Sequence, residues 1–423
     1  MGILIKNGRI IDPLSNRDEI ADLYVEDGKV LQVRKNIEKD AECVIDATGL
    51  LVMPGFIDLH VHLREPGLEY KETIETGAMA AARGGFTTIC AMPNTKPVVD
   101  SKEVVEDIYK RAAHAKCHVL QVGAVTKEQA GIELADIKEM KTAGICAISE
   151  DGKSVMDSKL YKEAMVIAKE ENIPVFAHCE DKNLVGKGAL NAGKKAEELG
   201  VEGITNAVED IITARDILLS KETGARLHLC HCSTADSVRM VEEAKKEGLL
   251  VTAEVCPHHF TLTEEDIEGS DTNYKMNPPL RSKEDKKALV EGLKNNIMDV
   301  ISTDHAPHHA DEKAKPMAEA PFGIVGLETA YALTNSELVE KGYLTQVQLV
   351  EKMSANPAKV LGMDKGCIGE GKVADIVITN PKEEYTIDVN EFASKGKNTP
   401  FNGRKVTGKV KYTILAGELV YEA

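Results

Sequence analysis

The chain has 423 residues, of which 43% are apolar and 29% charged, and its formal net charge is −17. This length predicts one large domain and a smaller one, because an α/β barrel can reach ~250 residues or more as one unit. The strong negative charge repels phosphate backbones and anionic lipids. It therefore argues against nucleic acid and membranes as partners, but it says nothing about a small anionic substrate, because a local arginine can override the overall field.

Targeting signals and disulfide patterns are both missing from the sequence. No stretch approaches the ~20 consecutive apolar residues that span a bilayer, and the first residues lack the basic start and apolar stretch of a secretory signal. We therefore expect a cytoplasmic protein. The nine cysteines show no CxxC spacing, which argues against a disulfide framework or a structural zinc finger.

The two ends of the chain have similar β patterns. Short alternating runs at 3–5, 21–25 and 29–33 are separated by turn residues such as Asn7-Gly8, which is typical of hairpins. The last 60 or so residues repeat this pattern at 374–378, 411–415 and 419–421. We predict a small β-sandwich domain built from both ends, comprising residues 1–54 and 363–423.

The middle of the chain, residues 55–362, alternates strand-like and helical runs. Helical patterns at 101–116, 158–171, 206–222 and 236–247 lie between the strand candidates. Alternation of this kind predicts a parallel sheet, and eight strands suit a closed (β/α)8 TIM barrel. The eight predicted strands are 55–62, 85–91, 118–124, 144–149, 173–178, 226–231, 249–254 and 298–303.

Polar side chains follow these predicted strands where each one ends. Active sites of such barrels form at the carboxyl ends of the strands, and metal-ligand types are frequent here. The residues at these ends are His60, His62, Asn94, Asp151, His178, His231, Glu254 and Asp304.

The run Asp58-Leu59-His60-Val61-His62 predicts half of a metal site. Alternate side chains of a strand share a face, so His60 and His62 point the same way. Imidazole is a preferred zinc ligand, although an HxH pair alone is a weak signal. With His178, His231 and Asp304 at the same barrel mouth, the ligands exceed the four that one zinc ion needs. Two metals are therefore expected, and Asp151 is positioned to bridge them.

Other cysteine, aspartate and histidine residues near this cluster are not expected to bind metal. Strand alternation places Cys230 and Cys232 away from His231, which argues against thiolate ligands. Asp58 and His305 are expected to support their neighbours rather than bind metal. The remaining histidines are expected to be structural or packing residues; they are His114, His118, His228, His258 and His259.

Several motifs together resemble the amidohydrolase superfamily and, within it, the dihydroorotase family. The resemblance spans nearly the whole chain, including the β pieces at both ends. The motifs are Met53-Pro54-Gly55-Phe56-Ile57-Asp58-Leu59-His60-Val61-His62, Leu63-Arg64-Glu65-Pro66-Gly67, Met92-Pro93-Asn94-Thr95, Ala177-His178-Cys179-Glu180-Asp181, Lys275-Met276-Asn277-Pro278-Pro279-Leu280-Arg281 and Ser302-Thr303-Asp304-His305-Ala306-Pro307-His308.

This resemblance implies a set of metal ligands. His60, His62 and Asp304 would bind one zinc ion, His178 and His231 would bind a second, and Asp151 would bridge the two. Many members of the superfamily use a carboxylated lysine as the bridge, and Lys153 keeps that alternative open.

The resemblance also implies a reaction and a substrate site. The reaction is the reversible cyclisation of N-carbamoyl-L-aspartate to dihydroorotate, in pyrimidine biosynthesis. Metal ions would lower the pKa of a water and polarise the amide carbonyl, and Asp304 would carry the proton to the leaving nitrogen. The implied substrate contacts are His62, Arg64, Asn94, Asn277, His308 and the backbone of Phe322 and Gly323.

Residue chemistry supports part of this substrate site. The guanidinium of Arg64, two residues beyond His62, suits a carboxylate, although a surface arginine is the alternative. Asn277 beside Pro278 could simply form a turn. The segment 306–323 follows Asp304 closely, and we hypothesise that it is a mobile flap over the site.

Other functions remain open at the level of sequence. The chain could be a hydantoinase or allantoinase that uses the same metals on another cyclic amide. It could also be an inactive homologue that acts as a scaffold, although all the proposed ligands are present. We expect a homodimer and consider association with an aspartate transcarbamoylase.

Overall fold

The computed structural model describes residues 2–423, which form two eight-stranded sheets and one two-stranded sheet. The strands are β1 (Gly2–Asp12), β2 (Arg17–Glu26), β3 (Lys29–Arg34), β4 (Cys43–Asp46), β5 (Leu51–Pro54), β6 (Phe56–Val61), β7 (Phe86–Ala91), β8 (His118–Ala124), β9 (Ala147–Ser149), β10 (Val175–Ala177), β11 (Leu190–Asn191), β12 (Gly203–Ile204), β13 (Leu227–Leu229), β14 (Val251–Val255), β15 (Val300–Ile301), β16 (Ile376–Thr386), β17 (Lys405–Leu415) and β18 (Glu418–Glu422).

The helices mostly lie between the parallel strands. They are α1 (Ile74–Arg83), α2 (Lys102–Arg111), α3 (Ile137–Ala143), α4 (Ser158–Glu170), α5 (Lys182–Val185), α6 (Lys194–Leu199), α7 (Ala207–Thr223), α8 (Ala235–Lys246), α9 (Pro257–Thr261), α10 (Lys283–Lys294), α11 (Ala310–Lys313), α12 (Ala330–Thr334), α13 (Gln346–Val350) and α14 (Asn356–Leu361). No helix within residues 2–423 has both the length and the apolar sequence needed to cross a bilayer.

The parallel sheet forms the barrel that the sequence predicts. Its strands run in the order β6, β7, β8, β9, β10, β13, β14 and β15. A parallel bridge between Val61 and His305 joins the first strand to the segment after the last, and His62 N donates to His305 O at 2.8 Å. All eight predicted strands are present, so the (β/α)8 prediction is confirmed.

Side chains alternate between the barrel interior and the outer helices. On β13, Leu227 and Leu229 pack in the large cluster that includes the helices, whereas Cys230 joins an inner cluster with Phe176 and Leu59. The helices begin at ordinary caps; for example, Thr73 accepts a hydrogen bond from Thr76 N at the start of α1. Strand alternation and capping therefore explain the local structure of the barrel.

Both ends of the chain contribute to the other large sheet. Its order is β18-β17-β16-β5-β1-β2-β3, with β4 pairing alongside β1. The two ends meet where β5 pairs antiparallel with β16, at Met53 and Val377, and they share one apolar core. The predicted β structure from both ends is confirmed, whereas its boundaries at 54/55 and 362/363 stay a prediction.

One part of the C-terminal region leaves this sheet and packs on the barrel. Residues 392–399, here called the mouth segment, lie between β16 and β17 in sequence. Ala393 N donates to Glu328 at 2.8 Å, Lys395 N donates to Glu72 at 3.2 Å and Val325 N donates to Asn398 O at 2.9 Å. The C-terminal region therefore also contributes to the barrel mouth.

Candidate active site

Four histidines and two aspartates meet at the carboxyl ends of the barrel strands. His60 Nε2 lies 3.1 Å from Asp151 Oδ1, and His62 Nε2 lies 3.1 Å from Asp304 Oδ1. His62 Nε2 is also 3.5 Å from Asp151 Oδ2. Asp151 thus faces both histidines of the HxH pair, while Asp304 approaches from the strand that closes the barrel.

The other two histidines lie on the opposite side of Asp151. His178 Nδ1 is 2.9 Å from His231 Nε2, and these atoms lie 3.6 Å and 3.8 Å from Asp151 Oδ1. Asp151 therefore belongs to two groups that could each hold a metal ion, one with His60 and His62 and one with His178 and His231.

The donor atoms of this cluster fit divalent metal ions. His60 Nε2 and Asp151 Oδ1 are buried and lie 3.1 Å apart, but neither atom makes a well-aligned hydrogen bond within residues 2–423, although buried polar groups are normally satisfied. Burial opposes ionisation of Asp151, but the charges of His60 and the other histidines hold its pKa well below the usual range. Buried nitrogen and carboxylate donors that converge in this way are a typical zinc environment.

Asp304 is held ionised in the same way. Burial would raise its pKa, but the hydrogen bond from His62 and the charges of His60 and His231 lower it to about 2. A carboxylate at this position can therefore accept a proton near neutral pH.

Glu254 orients two of the histidines, a role that the sequence analysis missed. His60 Nδ1 lies 3.0 Å from Glu254 Oε1, and His231 N donates to the same oxygen at 3.1 Å. His228 Nε2 lies 3.1 Å from Glu254 Oε2. The position of Glu254 at the end of β14 was the available signal, because ligand histidines usually donate their other ring nitrogen to such a group.

Backbone geometry at the strand ends directs the site residues. Arg64, His231 and Asp304 have positive φ angles of 65°, 33° and 49°, which non-glycine residues adopt infrequently. Because β13 ends at Leu229, strand alternation does not extend to His231. Cys230 keeps the alternation that begins with Leu227 and Leu229 and faces the barrel interior, within reach of His60 and Glu254. The premise that Cys230 points away from the centre was therefore wrong, although burial raises the pKa of its thiol and opposes a thiolate.

The other candidates have structural contacts. Asp58 accepts from His60 N at 3.0 Å and from Thr303 N at 3.2 Å, so it fixes the backbone behind the centre. His118 Nε2 lies 3.3 Å from Asp375, and Lys153 Nζ donates to Gln129 O at 3.0 Å. The rings of His258 and His259 pack together with centroids 4.3 Å apart, His305 Nε2 lies 3.5 Å from Glu72, and His114 is exposed.

A cleft of about 170 Å³ opens beside the cluster of histidines and aspartates. Nearly every residue that the sequence analysis proposed lies along it. The lining residues are His62, Arg64, Asn94, Asp151, Gly152, His178, His231, Asn277, Asp304, Ala306, His308, Phe322 and Gly323. The structure therefore brings the predicted ligands and substrate contacts into one cleft; His60 lies beneath it.

His308 is fixed by groups on both sides of its ring. Lys71 Nζ donates to Nδ1 at 3.2 Å, and Nε2 donates to Phe322 O at 2.8 Å. Arg64 Nη2 lies 3.3 Å from Nε2. Burial and the charges of Arg64, Lys71 and Lys313 lower the pKa of His308 to about 2, so its ring stays neutral.

The two asparagines contact groups next to the ligands. Asn94 Oδ1 lies 2.9 Å from His62 Nδ1, and Asn277 Nδ2 donates to Glu180. Glu180 Oε2 is 3.7 Å from His178 Nε2. Asn94 is thus positioned by a histidine of the cluster, and Asn277 by Glu180, a neighbour of His178.

The mouth segment holds the far wall of the cleft. Asn398 Nδ2 donates to Ala306 O and to Gly323 O, each at 3.0 Å, and its Oδ1 accepts from His308 N at 3.0 Å. No sequence signal points to Asn398, because its partners are far away in the chain. The hypothesis that 306–323 moves as a flap stays a prediction.

Comparisons with known proteins agree with this geometry. A family model described as dihydro-orotase-like matches residues 49–237, and one described as an amidohydrolase family matches residues 324–421. The chain is 50% identical over 422 residues to a dihydroorotase of Clostridioides difficile (strain 630), with 100% of both chains covered. It is 48% identical to a dihydroorotase of Caldanaerobacter subterraneus subsp. tengcongensis, covering 100% of this chain and 98% of that one.

Solved structures with the same fold are more distant in sequence. The L-hydantoinase (dihydropyrimidinase) of Arthrobacter aurescens superposes with a TM-score of 0.88 at 29% identity, covering 99% of this chain and 96% of that one. The dihydropyrimidinase of Brevibacillus agri NCHU1002 gives a TM-score of 0.87 at 26% identity, covering 100% of this chain and 95% of that one.

Proposed function

The chain belongs to the dihydroorotase family of the amidohydrolases, and we propose from this membership that it interconverts N-carbamoyl-L-aspartate and dihydroorotate, releasing water on ring closure. The observation that carries the proposal is the position of Arg64 in the cleft. Its side chain is buried, 8% exposed, and within residues 2–423 no carboxylate lies within salt-bridge distance of it. The negative charges of Asp304 and Asp151 reach the guanidinium only from a greater distance. A buried arginine with no directly paired carboxylate favours an anionic ligand.

Six side chains would hold the metal ions. His60, His62 and Asp304 would bind one, His178 and His231 would bind the other, and Asp151 would bridge them. When bound, two divalent ions at these donors activate water near neutral pH and polarise an amide carbonyl. We propose zinc because histidine nitrogen and carboxylate oxygen are its common ligands.

Asp304 would move the proton of the reaction. Its carboxylate is ionised and lies at the cleft beside His62, so it can take a proton from water and give it to the ring nitrogen. Ring closure would use the same group in the opposite direction, with Asp304 accepting the proton from nitrogen.

The wall of the cleft that contains Arg64 and His308 would bind the substrate carboxylate. Arg64 offers a planar pair of donors, and the amide of Asn94 is oriented because His62 Nδ1 occupies its oxygen. The neutral ring of His308 and the backbone of Phe322 and Gly323 would complete the contacts with Asn277 and His62. This arrangement would hold the carboxylate of the substrate so that its reacting amide faces Asp304.

Further elements of the proposal concern cellular context. We place the reaction in de novo pyrimidine (UMP) biosynthesis in the cytoplasm. We also propose a homodimer and, as a candidate partner enzyme, an aspartate transcarbamoylase. Sedimentation of the purified protein with and without such a partner tests both associations.

Hydantoinase or allantoinase activity is the competing proposal, favoured by the structural similarity to hydantoinases. Purified enzyme assayed on dihydroorotate, hydantoin and allantoin separates these functions. We expect turnover of dihydroorotate; turnover of hydantoin or allantoin alone would refute the main proposal. A metal analysis that finds almost no metal, together with no activity, would revive the scaffold alternative.

A matched pair of variants tests the site itself. His178→Ala should abolish activity while the fold is retained, whereas His118→Ala, which removes a partly exposed histidine paired with Asp375, should remain active. Full activity in His178→Ala would contradict the assignment of the second metal.

A further inference from the structure

Two buried lysines lie behind the wall of the cleft that faces the substrate. Lys275 is 2% exposed and Lys313 is 7% exposed. Within residues 2–423, neither has a carboxylate within 4.0 Å of its ammonium group. Lysines are seldom buried without a countercharge, because removing the charge from water is costly.

Backbone carbonyl groups take the place of carboxylates at Lys313. Its Nζ donates to Lys275 O at 3.2 Å, to Pro321 O at 3.1 Å and to Gly323 O at 3.1 Å. A protonated amine has three hydrogens for these three acceptors, whereas a neutral amine has only two. The charge of Lys313 therefore lies directly behind the Phe322 and Gly323 backbone.

Lys275 approaches the same backbone from the other side. Its Nζ donates to Met317 O at 2.6 Å and lies 4.5 Å from the centroid of the Phe322 ring. Gly323 N donates to Lys275 O at 3.0 Å. The two lysines thus enclose the short stretch that lines the cleft beside His308.

The effect of this positive charge reaches the cleft. Lys313 is one of the charges that lower the pKa of His308. Burial and the charge of Lys275 lower the pKa of Lys313 itself to about 7, with only Asp271 opposing them, and burial lowers the pKa of Lys275 to about 8. In a chain of net charge −17, this is a local positive potential that Asp271 offsets in part.

We propose that Lys275 and Lys313 are specificity-determining residues that favour a carboxylated ring over a neutral cyclic amide. Their charges act through the Pro321–Gly323 backbone on the carboxylate that Arg64 and His308 bind. The ligand supplies the missing negative charge, so a neutral amide gains nothing from the lysines. This inference rests on the proposed function.

The alternative is that the lysines only stabilise the fold. Substitutions that remove or keep the positive charge distinguish this structural role from an effect on specificity. Lys313→Gln keeps two hydrogen-bond donors but removes the charge, whereas Lys313→Arg keeps the charge. Lys352 provides a matched control, because it is fully buried and its Nζ donates to Asn296 Oδ1 and Met298 O, each at 3.0 Å, away from the cleft.

The experiment measures the affinity of the metal-loaded enzyme for orotate, the oxidised and carboxylated analogue of the ring product, by calorimetry. KM and kcat for dihydroorotate and the melting temperature are measured on the same samples. We expect Lys313→Gln to weaken orotate binding by about tenfold or more and to raise KM more than it lowers kcat. Lys313→Arg should recover most of the affinity, and Lys352→Gln should bind orotate like the wild type.

Two results would overturn the inference. One is orotate affinity in folded Lys313→Gln within twofold of the wild type, and the other is an arginine variant no better than the glutamine variant. If Lys313→Gln does not fold, Lys275→Gln decides by the same affinity criterion. Wild-type enzyme that neither turns over dihydroorotate nor binds orotate would instead refute the proposed function.

Discussion

Replacing Asn398 with alanine should impair substrate binding although the residue is remote in sequence from the metal ligands. Its side chain makes three hydrogen bonds, to Ala306 O, Gly323 O and His308 N, each 3.0 Å long. Alanine removes all three but leaves the backbone bond from Val325 N to Asn398 O intact. The variant therefore isolates the contribution of one amide.

The free-energy cost of the substitution depends on which buried groups lose their hydrogen-bond partner. Gly323 O keeps its bond from Lys313, so two buried groups, Ala306 O and His308 N, are left unpaired. Each unpaired group costs about 1–3 kcal/mol, which gives roughly 2–6 kcal/mol in total. Relaxation of 306–323 toward the open cleft would relieve part of this cost at the expense of substrate binding.

Steady-state kinetics measure the loss of substrate binding, and thermal unfolding measures the loss of stability. We expect KM for dihydroorotate to rise at least about tenfold, which corresponds to ~1.4 kcal/mol, together with a lower melting temperature. Asn402→Ala is the control, because this exposed asparagine accepts from Val389 N at 3.2 Å and its side chain has no other hydrogen bond within residues 2–423. If Asn398→Ala kept KM within twofold of the wild type and the same melting temperature, the reasoning would be refuted.

Three further predictions concern metal affinity, stability and proton uptake. Glu254→Gln removes the carboxylate that orients His60 and should weaken metal binding about 10–100-fold in a chelator competition; unchanged affinity would contradict this. Burial raises the pKa of Glu328 to about 7, so the folded state binds more protons than the unfolded state and stability falls as pH rises from about 4.5 to about 7. The melting temperature of Glu328→Gln relative to wild type should therefore be higher at about pH 8 than at about pH 5, and a flat difference would be contrary to expectation. Orotate binding near pH 7.5 should take up protons as the anion stabilises charged Lys313, measured by calorimetry in buffers of different ionisation enthalpy, and Lys313→Gln should lose that uptake.

Sequence patterns predicted the barrel and the ligand cluster because both depend on local signals. Each strand candidate is a short apolar run, and a ligand-type side chain lies at or just beyond the end of most of them. The carboxyl ends of parallel strands must meet at one mouth, so His60, His178 and Asp304 converge whatever lies between them. Neither loop conformation nor helix packing was needed for that step.

The supporting residues could not be predicted because their partners are distant in sequence. Asn398 holds His308 across 90 positions, and Glu72 contacts Lys395 across 323. The alternation argument failed at His231, which lies beyond the end of β13 and has a positive φ angle, so that it shares the barrel interior with Cys230. Periodicity describes a regular strand, whereas catalytic residues often lie just beyond its end.

The pairing of β5 with β16 has a consequence for synthesis of the protein on the ribosome. Met53 pairs with Val377, so its partner strand is made 324 residues later. At ~5–20 residues per second, this takes roughly 16–65 s. During that time Leu51, Val52 and Met53 form an apolar strand with one unpaired edge, the kind of edge that recruits other strands. We therefore expect the nascent chain to be more prone to aggregation before β16 is made than the finished molecule is.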